Sequence, residues 1–463
     1  MAATEFDVLV LGAGSGGYAC ALRAAQLGLS VGLVEKDKLG GTCLHVGCIP
    51  TKALLHAAEV ADSARDSEQF GIRATLESID MAGVNKYKDG VVSRLFKGLA
   101  GLIKSRGITV IEGAGVVTGL REVTVEGELY RGRHLVLASG SYSRTLPGLE
   151  VDGERIITSE QALTLDRVPA SVVVLGGGVI GCEFASVWRS FGADVTIVEA
   201  LPRLMAAEDE ASSAVLERTF RKRKIAFRTG TRFQSVATSE QGVAVTVEAA
   251  DGTSSVIEAE ILLVAVGRAP ATSDLGYEEV GITLERGFVV TDEHCRTGVE
   301  GVYAVGDIVP GLQLAHRGFA QGIFVAEHIA GLDPRPIDED GIPRVTYSHP
   351  ELASVGLTEA AAVDVYGAAA VETVTYDLGG NGKSQILKTQ GFVKLVRRTD
   401  GPVIGIHLVG DRVGELIGEA QLIYGWEAHA DDVAPLVHAH PTQNEALGEA
   451  HLALAGKPLH AHS

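Results

Sequence analysis

Long apolar runs, abundant cysteine and an excess of basic charge are all missing from this 463-residue chain. The first apolar stretch, Val8 to Leu11, is cut off by a glycine-rich turn well before signal-peptide or membrane-spanning length. Five cysteines, Cys20, Cys43, Cys48, Cys182 and Cys295, are too few and too scattered for a secreted disulfide framework, and the count is odd. These absences point to a cytoplasmic protein with no membrane partner, in which a disulfide is catalytic rather than structural. Lys plus Arg number 40 against 59 Asp plus Glu, and the net charge of -19 repels nucleic acid and anionic lipid.

Glycine is plentiful: 57 residues in a chain that is 46% hydrophobic and 21% charged. This mixture argues against disorder and suits an α/β protein with many tight strand-to-helix turns. The length suggests about three units of roughly 150 residues each.

Two segments share one pattern of strand, glycine turn, helix and strand. Asp7 to Leu11 leads into Gly12-Ala13-Gly14-Ser15-Gly16-Gly17, a helix from Tyr18 to Leu27 and a strand ending in Glu35. Val172 to Leu175 leads into Gly176-Gly177-Gly178-Val179-Ile180-Gly181, a helix to Phe191 and a strand ending in Glu199. In a G-x-G-x-x-G turn the glycines let the backbone approach a pyrophosphate, whose charge rests on the next helix N-terminus, and the later acid accepts from a ribose diol. One such turn alone is weak, but two with the same offset to a terminal acid predict two dinucleotide-binding folds. Glu199 repels the extra phosphate of NADP and favours NAD, although the nearby Arg203 has the chemistry to accept one.

Between these folds, Asp80 to Arg106 reads as helix, Val116 to Arg131 as an inserted antiparallel piece, and His134 to Ala138 as a resumed strand before Ser139-Gly140. Later come alternating strands from Ala226 to Glu260, an apolar run Ile261 to Val266 before Gly267, then Gly306-Asp307 and a helix from about Ala315 to Ala330. A polar linker with Pro334, Pro336 and Pro343 precedes a last region, from Val345, with no further phosphate turn.

The segment Gly40-Gly41-Thr42-Cys43-Leu44-His45-Val46-Gly47-Cys48 carries the most specific chemistry. Two cysteines five positions apart sit about 140° apart on a regular helix, so bonding them needs a distorted turn that Gly47 is able to supply. Helical character from about Pro50 puts the thiols near a helix N-terminus, where thiolate is stabilised. A redox pair is favoured over two inert buried cysteines or a partial metal site, for which only His45 and His56 are near. Cys20, Cys182 and Cys295 lack such surroundings and read as structural.

With these motifs in place, the chain resembles the pyridine nucleotide-disulfide oxidoreductases of class I over essentially its whole length, and within them the branch acting on dihydrolipoyl groups. The resemblance is carried by both turns, Gly41-Thr42-Cys43 through Cys48 and Lys52, Glu183, Gly306-Asp307, and His438-Ala439-His440-Pro441-Thr442 followed by Glu445. It implies an α/β fold of two Rossmann-like dinucleotide-binding domains plus an α+β C-terminal dimerisation domain. The implied segments are 1–145 (first part of the FAD domain), 146–268 (NAD domain), 269–338 (central, completing the FAD site) and 339–463 (interface). It further implies FAD held by Gly12, Gly14, Gly17, Glu35, Lys52, Gly140, Asp307 and Ala315, and NAD by Gly176, Gly178, Gly181, Glu183, Glu199 and Gly267, with no metal. Lys52 and Glu183 are expected as an ion pair near the reactive flavin nitrogen, and Asp307 on the ribityl chain.

The resemblance also implies the catalytic set. Cys48 faces the flavin and Cys43 the substrate, while His440, held by Glu445, acts as acid and base for the second subunit of a homodimer. A histidine suits this task because its ordinary pKa of about 6.5 lies near working pH. Without the family, His438, His440, His451, His460 and His462 read as solvated surface, a reading that only His440 escapes. The implied partner is a lipoyl-bearing domain of a 2-oxoacid dehydrogenase or glycine cleavage complex.

Competing readings are a glutathione-type reductase using NADPH, which Glu199 and Ile49-Pro50-Thr51-Lys52 oppose, and a flavoprotein subunit that does not turn over. Mercuric reductase is disfavoured by a tail without a cysteine pair, and a soluble transhydrogenase has no need of Cys43 and Cys48. His45, Thr51 and Ser139 stand where the common family pattern has Asn, Ser and Thr, and none of them removes a reacting atom.

Overall fold

The computed structural model describes residues 3–460. Eight helices frame the site: α1 (Ser15–Gln26), α2 (Gly41–His45), α3 (Cys48–Arg65), α4 (Met81–Ser105), α5 (Val179–Phe191), α6 (Ala315–Ile329), α7 (Val413–Gly425) and α8 (Glu445–Leu454). His462 lies outside the described residues.

The first sheet places strands Thr109–Glu112, Val31–Glu35, Thr4–Leu11 and Glu128–Leu137 side by side in parallel, and Val302–Ala304 adds to Glu128–Leu137 at Leu135, Val136 and Leu137. Val8, Leu9 and Val10 are fully buried, which explains why this strand is an unbroken apolar run: α1, α4 and α6 cover one face of the sheet, and Val117, Val123 and Val125 with Tyr277, Ile282 and Val289 cover the other. The expected insertion is present as the antiparallel strands Gly115–Gly119 and Glu122–Val125, but its last residues and the resumed strand form one continuous strand, Glu128–Leu137. Its first half pairs antiparallel with Glu122–Val125 while the whole runs parallel to Thr4–Leu11, and Gly132, where a Cβ would lie 2.3 Å from His134 O, permits the close passage. The alternation changes within it because its first half leaves side chains exposed and Leu135, Val136 and Leu137 are buried.

The second sheet is parallel, in the order Ala226–Arg228, Asp194–Val198, Ser171–Leu175, Ile261–Val264, Ile156–Ile157, and a three-stranded antiparallel sheet from Thr231 to Ala259 lies beside it. Ser141–Ser143 and Arg268–Pro270 pair antiparallel where the chain passes between the two units. A five-stranded antiparallel sheet, ordered Arg344–Thr346, Glu351–Gly356, Val403–Gly410, Phe392–Arg398, Val371–Asp377, forms the C-terminal region with α7 and α8 on its own core. Among the described residues no helix is long and apolar enough to cross a membrane.

The contact that shapes the first site is between α1 and α6. A Cβ at Gly322 would lie 2.2 Å from Gly16 O, and one at Gly318 2.9 Å from Ser15 Oγ. Two small residues one turn apart on α6 therefore bring Ala315, its first residue, beside the turn that starts α1. Gly322→Val is expected to destabilise the first unit by about 1–3 kcal/mol through overpacking. A thermal melt of the holoprotein with an unchanged midpoint would contradict this packing account.

Candidate active site

At each glycine turn the same three constraints recur. Gly12 has φ +101° and a Cβ there would stand 2.3 Å from Ala138 O; Gly176 has φ +114° and the corresponding distance to Ala265 O is 2.3 Å. A Cβ at Gly17 would be 1.8 Å from Gly12 O, and one at Gly181 1.9 Å from Gly176 O, so each helix is seated against its strand only because these positions are glycine. Gly14 and Gly178, by contrast, have nothing within 4 Å of a Cβ and cap their helices with bare backbone facing a cavity. That division leaves the second glycine of each turn for a phosphate.

Each terminal acid braces its own turn. Glu35 Oε2 accepts from Ala13 N at 2.7 Å and Oε1 from Asp37 N at 2.9 Å. Glu199 Oε2 accepts from Gly177 N at 2.6 Å and Oε1 from Leu201 N at 2.7 Å. A carboxylate has about four lone-pair sites, so each keeps capacity for a ribose hydroxyl. Arg203 is occupied elsewhere, donating to Glu208 O at 2.8 Å and Ser213 Oγ at 2.7 Å.

Cys43 lies in α2, and α3 opens with Cys48, two residues earlier than the helix expected from Pro50. Val46 and Gly47 break the helix between them, and a Cβ at Gly47 would press on Thr42 O at 2.9 Å. Gly40 and Gly41 are both left-handed, and a Cβ at Gly41 would lie 2.8 Å from Gly14 Cα, which packs the cysteine segment against the first turn. Thr51 is buried and returns a hydrogen bond to Gly47 O at 2.6 Å, so the hydroxyl that matters survives the change from serine.

One turn into α3, Lys52 Nζ donates to both oxygens of Glu183 on α5 at 2.8 Å and lies 4.9 Å from the centre of the Tyr347 ring. Tyr347 N donates to Glu183 Oε1 at 3.0 Å. Burial pulls the Lys52 pKa down, but the Glu183 carboxylate outweighs it and holds the ammonium above its ordinary value. The Cys48 thiol is lowered to about 7, first by the hydrogen bond from Cys43, then against burial by Lys52. The same hydrogen bond, with burial, pushes Cys43 far above the usual thiol range. Of the two sulfurs, Cys48 is therefore the resident thiolate. Cys20, Cys182 and Cys295 are buried, with burial raising all three thiols, Cys20 and Cys295 to about 12.

A cavity of about 1250 Å³ collects Gly14, Cys43, Cys48, Lys52, Gly140, Asp307 and Ala315 from the first side and Gly176, Gly178, Glu183, Glu199 and Gly267 from the second. It exceeds the roughly 300–1,000 Å³ of single small-molecule sites. Two dinucleotides meeting between the turns fit it: its bare-backbone helix starts fit their phosphates, and Glu199 on its wall fits a ribose. Gly12, Gly17, Gly181 and Glu35 support the turns from behind and do not line it.

Several contributors carry no motif. Asp307 Oδ2 accepts from Ser141 Oγ, which in turn accepts from Arg268 Nε at 2.7 Å, and Gly306 N donates to Gln321 Oε1 at 2.7 Å. Ser141 and Arg268 meet through the paired strands between the units, and Tyr347 arrives from the C-terminal region; only long-range pairing brings them in. For Ser141 the sole sequence signal is its place just after the Ser139-Gly140 turn.

His440 and Glu445 lie outside this cavity. His440 Nδ1 bonds Glu445 Oε1 at 2.8 Å, with the imidazole side chain 78% exposed, and Thr442 N donates to Glu445 Oε2 at 2.7 Å. Burial raises the Glu445 pKa, but the bonds from Thr442 and His440 together outweigh it and hold Glu445 below the usual carboxylate range. The surface reading of the neighbouring histidines needs correction. His451 is fully buried, because on α8 it shares the inward face with Leu447 and Leu454, and its Nδ1 bonds Leu447 O at 2.7 Å. His438 is largely covered and bonds Glu419 Oε1 at 2.7 Å, whereas His460 is exposed and bonds Glu449.

In the reduced protein, alkylation of Cys48 should rise with pH through a midpoint near 7, and Lys52→Met should move that midpoint up by about one unit or more. Peptide-resolved iodoacetamide labelling across pH measures it. An unmoved midpoint would remove Lys52 as the stabilising charge.

Residues 6–322 match the family model for pyridine nucleotide-disulphide oxidoreductases, and residues 342–451 match that family's dimerisation domain. The chain is 40% identical to the dihydrolipoyl dehydrogenase of Bacillus subtilis (strain 168), covering 99% of this chain and all of that protein. It is 42% identical to the dihydrolipoyl dehydrogenase of Chlorobaculum tepidum, with 97% of each covered. Among solved structures, LpdA from Mycobacterium tuberculosis superposes with a TM-score of 0.89 at 28% identity, over 97% of this chain and 99% of that one.

Proposed function

The chain belongs to the pyridine nucleotide-disulphide oxidoreductase family, and on that footing we propose that it oxidises dihydrolipoyl groups to lipoyl disulfide with reduction of NAD, using FAD and a Cys43–Cys48 disulfide. The observation that carries this reading is the single cavity in which Cys48, Lys52 and Glu183 stand between two dinucleotide turns. Residues 1–145 supply the first part of the FAD domain, 146–268 the NAD domain, 269–338 the rest of the FAD site and 339–463 the interface. Strand Val302–Ala304, which completes the first sheet, supports the third of these boundaries.

In this mechanism the partner subunit's His440 takes a proton from one substrate thiol, and the resulting thiolate attacks Cys43 Sγ. The Cys43–Cys48 bond breaks, a mixed disulfide forms on Cys43, and Cys48 leaves as the thiolate that Lys52 stabilises. The second substrate thiol then attacks the substrate sulfur of the mixed disulfide and closes the lipoyl disulfide; its proton passes to the departing Cys43 sulfur, which is released as the thiol, while the first proton stays on the imidazole. Bound FAD supplies the acceptor for the electron pair now stored on the two cysteines, and NAD the final hydride acceptor. Glu445 keeps the imidazole oriented through Nδ1, leaving Nε2 for the substrate proton. Gly12, Gly14, Gly17, Glu35, Gly140, Asp307 and Ala315 serve the flavin nucleotide, and Gly176, Gly178, Gly181, Glu199 and Gly267 the nicotinamide nucleotide. Gly14 and Gly178 take the phosphates, and Glu35 and Glu199 the riboses.

The protein acts as a homodimer, as the dimerisation-domain match supports, and its lipoyl group comes from a carrier domain of a 2-oxoacid dehydrogenase or glycine cleavage complex. We place it in the cytoplasm, a setting that leaves the three buried cysteines as thiols.

Purified protein with its own yellow cofactor should oxidise dihydrolipoamide with NAD and leave glutathione disulfide untouched, and Cys43→Ser or Cys48→Ser should abolish turnover. Either variant retaining NAD-linked activity would sink the mechanism. His440→Ala should lower kcat by about 10²–10⁴-fold. NAD should outcompete NADP in steady state, and Glu199→Ala should narrow that margin; a native preference for NADP would reverse the reading of Glu199.

A further inference from the structure

The His440–Glu445 pair sits on a short loop whose two flanks are tied to one carboxylate. Glu419, in the second turn of α7, accepts through Oε2 from Asn444 Nδ2 and bonds His438 Nε2 through Oε1 at 2.7 Å. His438 lies two residues before His440, and Asn444 immediately before Glu445. The His438 side chain is only 13% exposed and Glu419 26%, so this bridge is far better covered than the His440 side chain it frames. There is no slack on the other side: a Cβ at Gly448 of α8 would meet His438 Nδ1 at 2.6 Å. Asn381 Nδ2 donates to Thr442 O at 2.9 Å and Gln443 Nε2 to Asp411 O at 2.8 Å, completing the anchorage of the loop. One turn earlier α7 lines the cofactor cavity with Gly414 and Ile417, and Gly414 N donates to Glu351 Oε2 at 2.9 Å.

We propose that Glu419 is a positioning residue for the acid–base pair: its carboxylate fixes both flanks of the loop, so that the exposed His440 enters the partner's site already oriented. The proposal rests on the reading of His440 and Glu445 as that pair. Orientation matters here because a proton transfer needs donor and acceptor within hydrogen-bond reach, and a misplacement of about 1 Å costs on the order of a hundredfold in rate. A carboxylate suits the task better than an amide: it accepts at two oxygens, and it favours the tautomer of His438 that carries the proton on Nε2.

The test uses full-length holoenzyme carrying Glu419→Ala, Glu419→Gln, Asn444→Ala or His440→Ala. Glu419→Ala should lower kcat for dihydrolipoamide about ten- to a hundredfold with the KM for NAD unchanged. Glu419→Gln, which keeps an acceptor for Asn444, should recover much of that loss, and Asn444→Ala should lower kcat by less than Glu419→Ala. NADH-driven reduction of ferricyanide, which bypasses the histidine, should stay at the native rate in all Glu419 variants. Native dihydrolipoamide kcat in Glu419→Ala, alongside an inactive His440→Ala, overturns the positioning role alone. Full activity in His440→Ala overturns the acid–base reading and this proposal with it. If Glu419→Ala does not fold, Glu419→Gln and Asn444→Ala decide, and equal losses in the lipoamide and ferricyanide assays would mark general damage and defeat the proposal.

Discussion

Everything chemical in this protein is arranged around the Lys52–Glu183 ion pair. It spans α3 and α5, and so joins the cysteine segment to the second nucleotide turn, with the Glu183 carboxylate buried and the Lys52 side chain 33% exposed. An unpaired carboxylate at Glu183 would be strongly unfavourable, so Glu183 alone would destabilise the region; with Lys52 donating to both oxygens and Tyr347 N to one of them, it is tolerated. What the pair provides is a fixed positive charge one helical turn from Cys48. The thiol brought to about 7 follows from that placement combined with the hydrogen bond from Cys43.

The ion pair also explains why two nucleotide folds occur in one chain. Each fold is built by the same steric rule, a left-handed glycine against a carbonyl and a second glycine under the helix, and each is braced by its own carboxylate. Repetition alone yields two separate sites. A shared cavity arises because α3 follows the first turn and α5 carries the second, and Lys52 and Glu183 hold them together.

The sequence was most legible where backbone sterics force one residue type. Glycines at Gly12, Gly17, Gly176 and Gly181 announce the turns because no other residue fits, and the cysteine pair with Gly47 announces the helix break. It was least legible where a side chain acts through distant pairing. Ser141, Arg268, Gln321 and Tyr347 reach the site by strand pairing and domain packing, and nothing local distinguishes them from ordinary polar residues. The histidine-rich stretch misled for a related reason. Polarity suggested surface, yet His451 is buried on the inner face of α8 and His438 is held by Glu419, both through contacts the local pattern does not contain. Strand Glu128–Leu137 reads as two pieces because its faces change from exposed to buried along its length.

The exposure of His440 carries the last step. Within one chain the His440–Glu445 pair is intact and bonded, yet it lies outside the cavity that holds the cysteines. A general base must come within hydrogen-bond reach of the proton it removes, so the acid–base role proposed for His440 requires the site of a second subunit. Together with the dimerisation domain that carries it, that geometry makes association, under the proposed mechanism, a condition of chemistry rather than of stability alone. The proposed mechanism gives the difference in burial a physical reason: the thiolate needs a low-water setting beside Lys52, whereas the imidazole has to cross an interface and meet a substrate entering from solvent. A well-braced loop on an exposed rim satisfies the second requirement without disturbing the first.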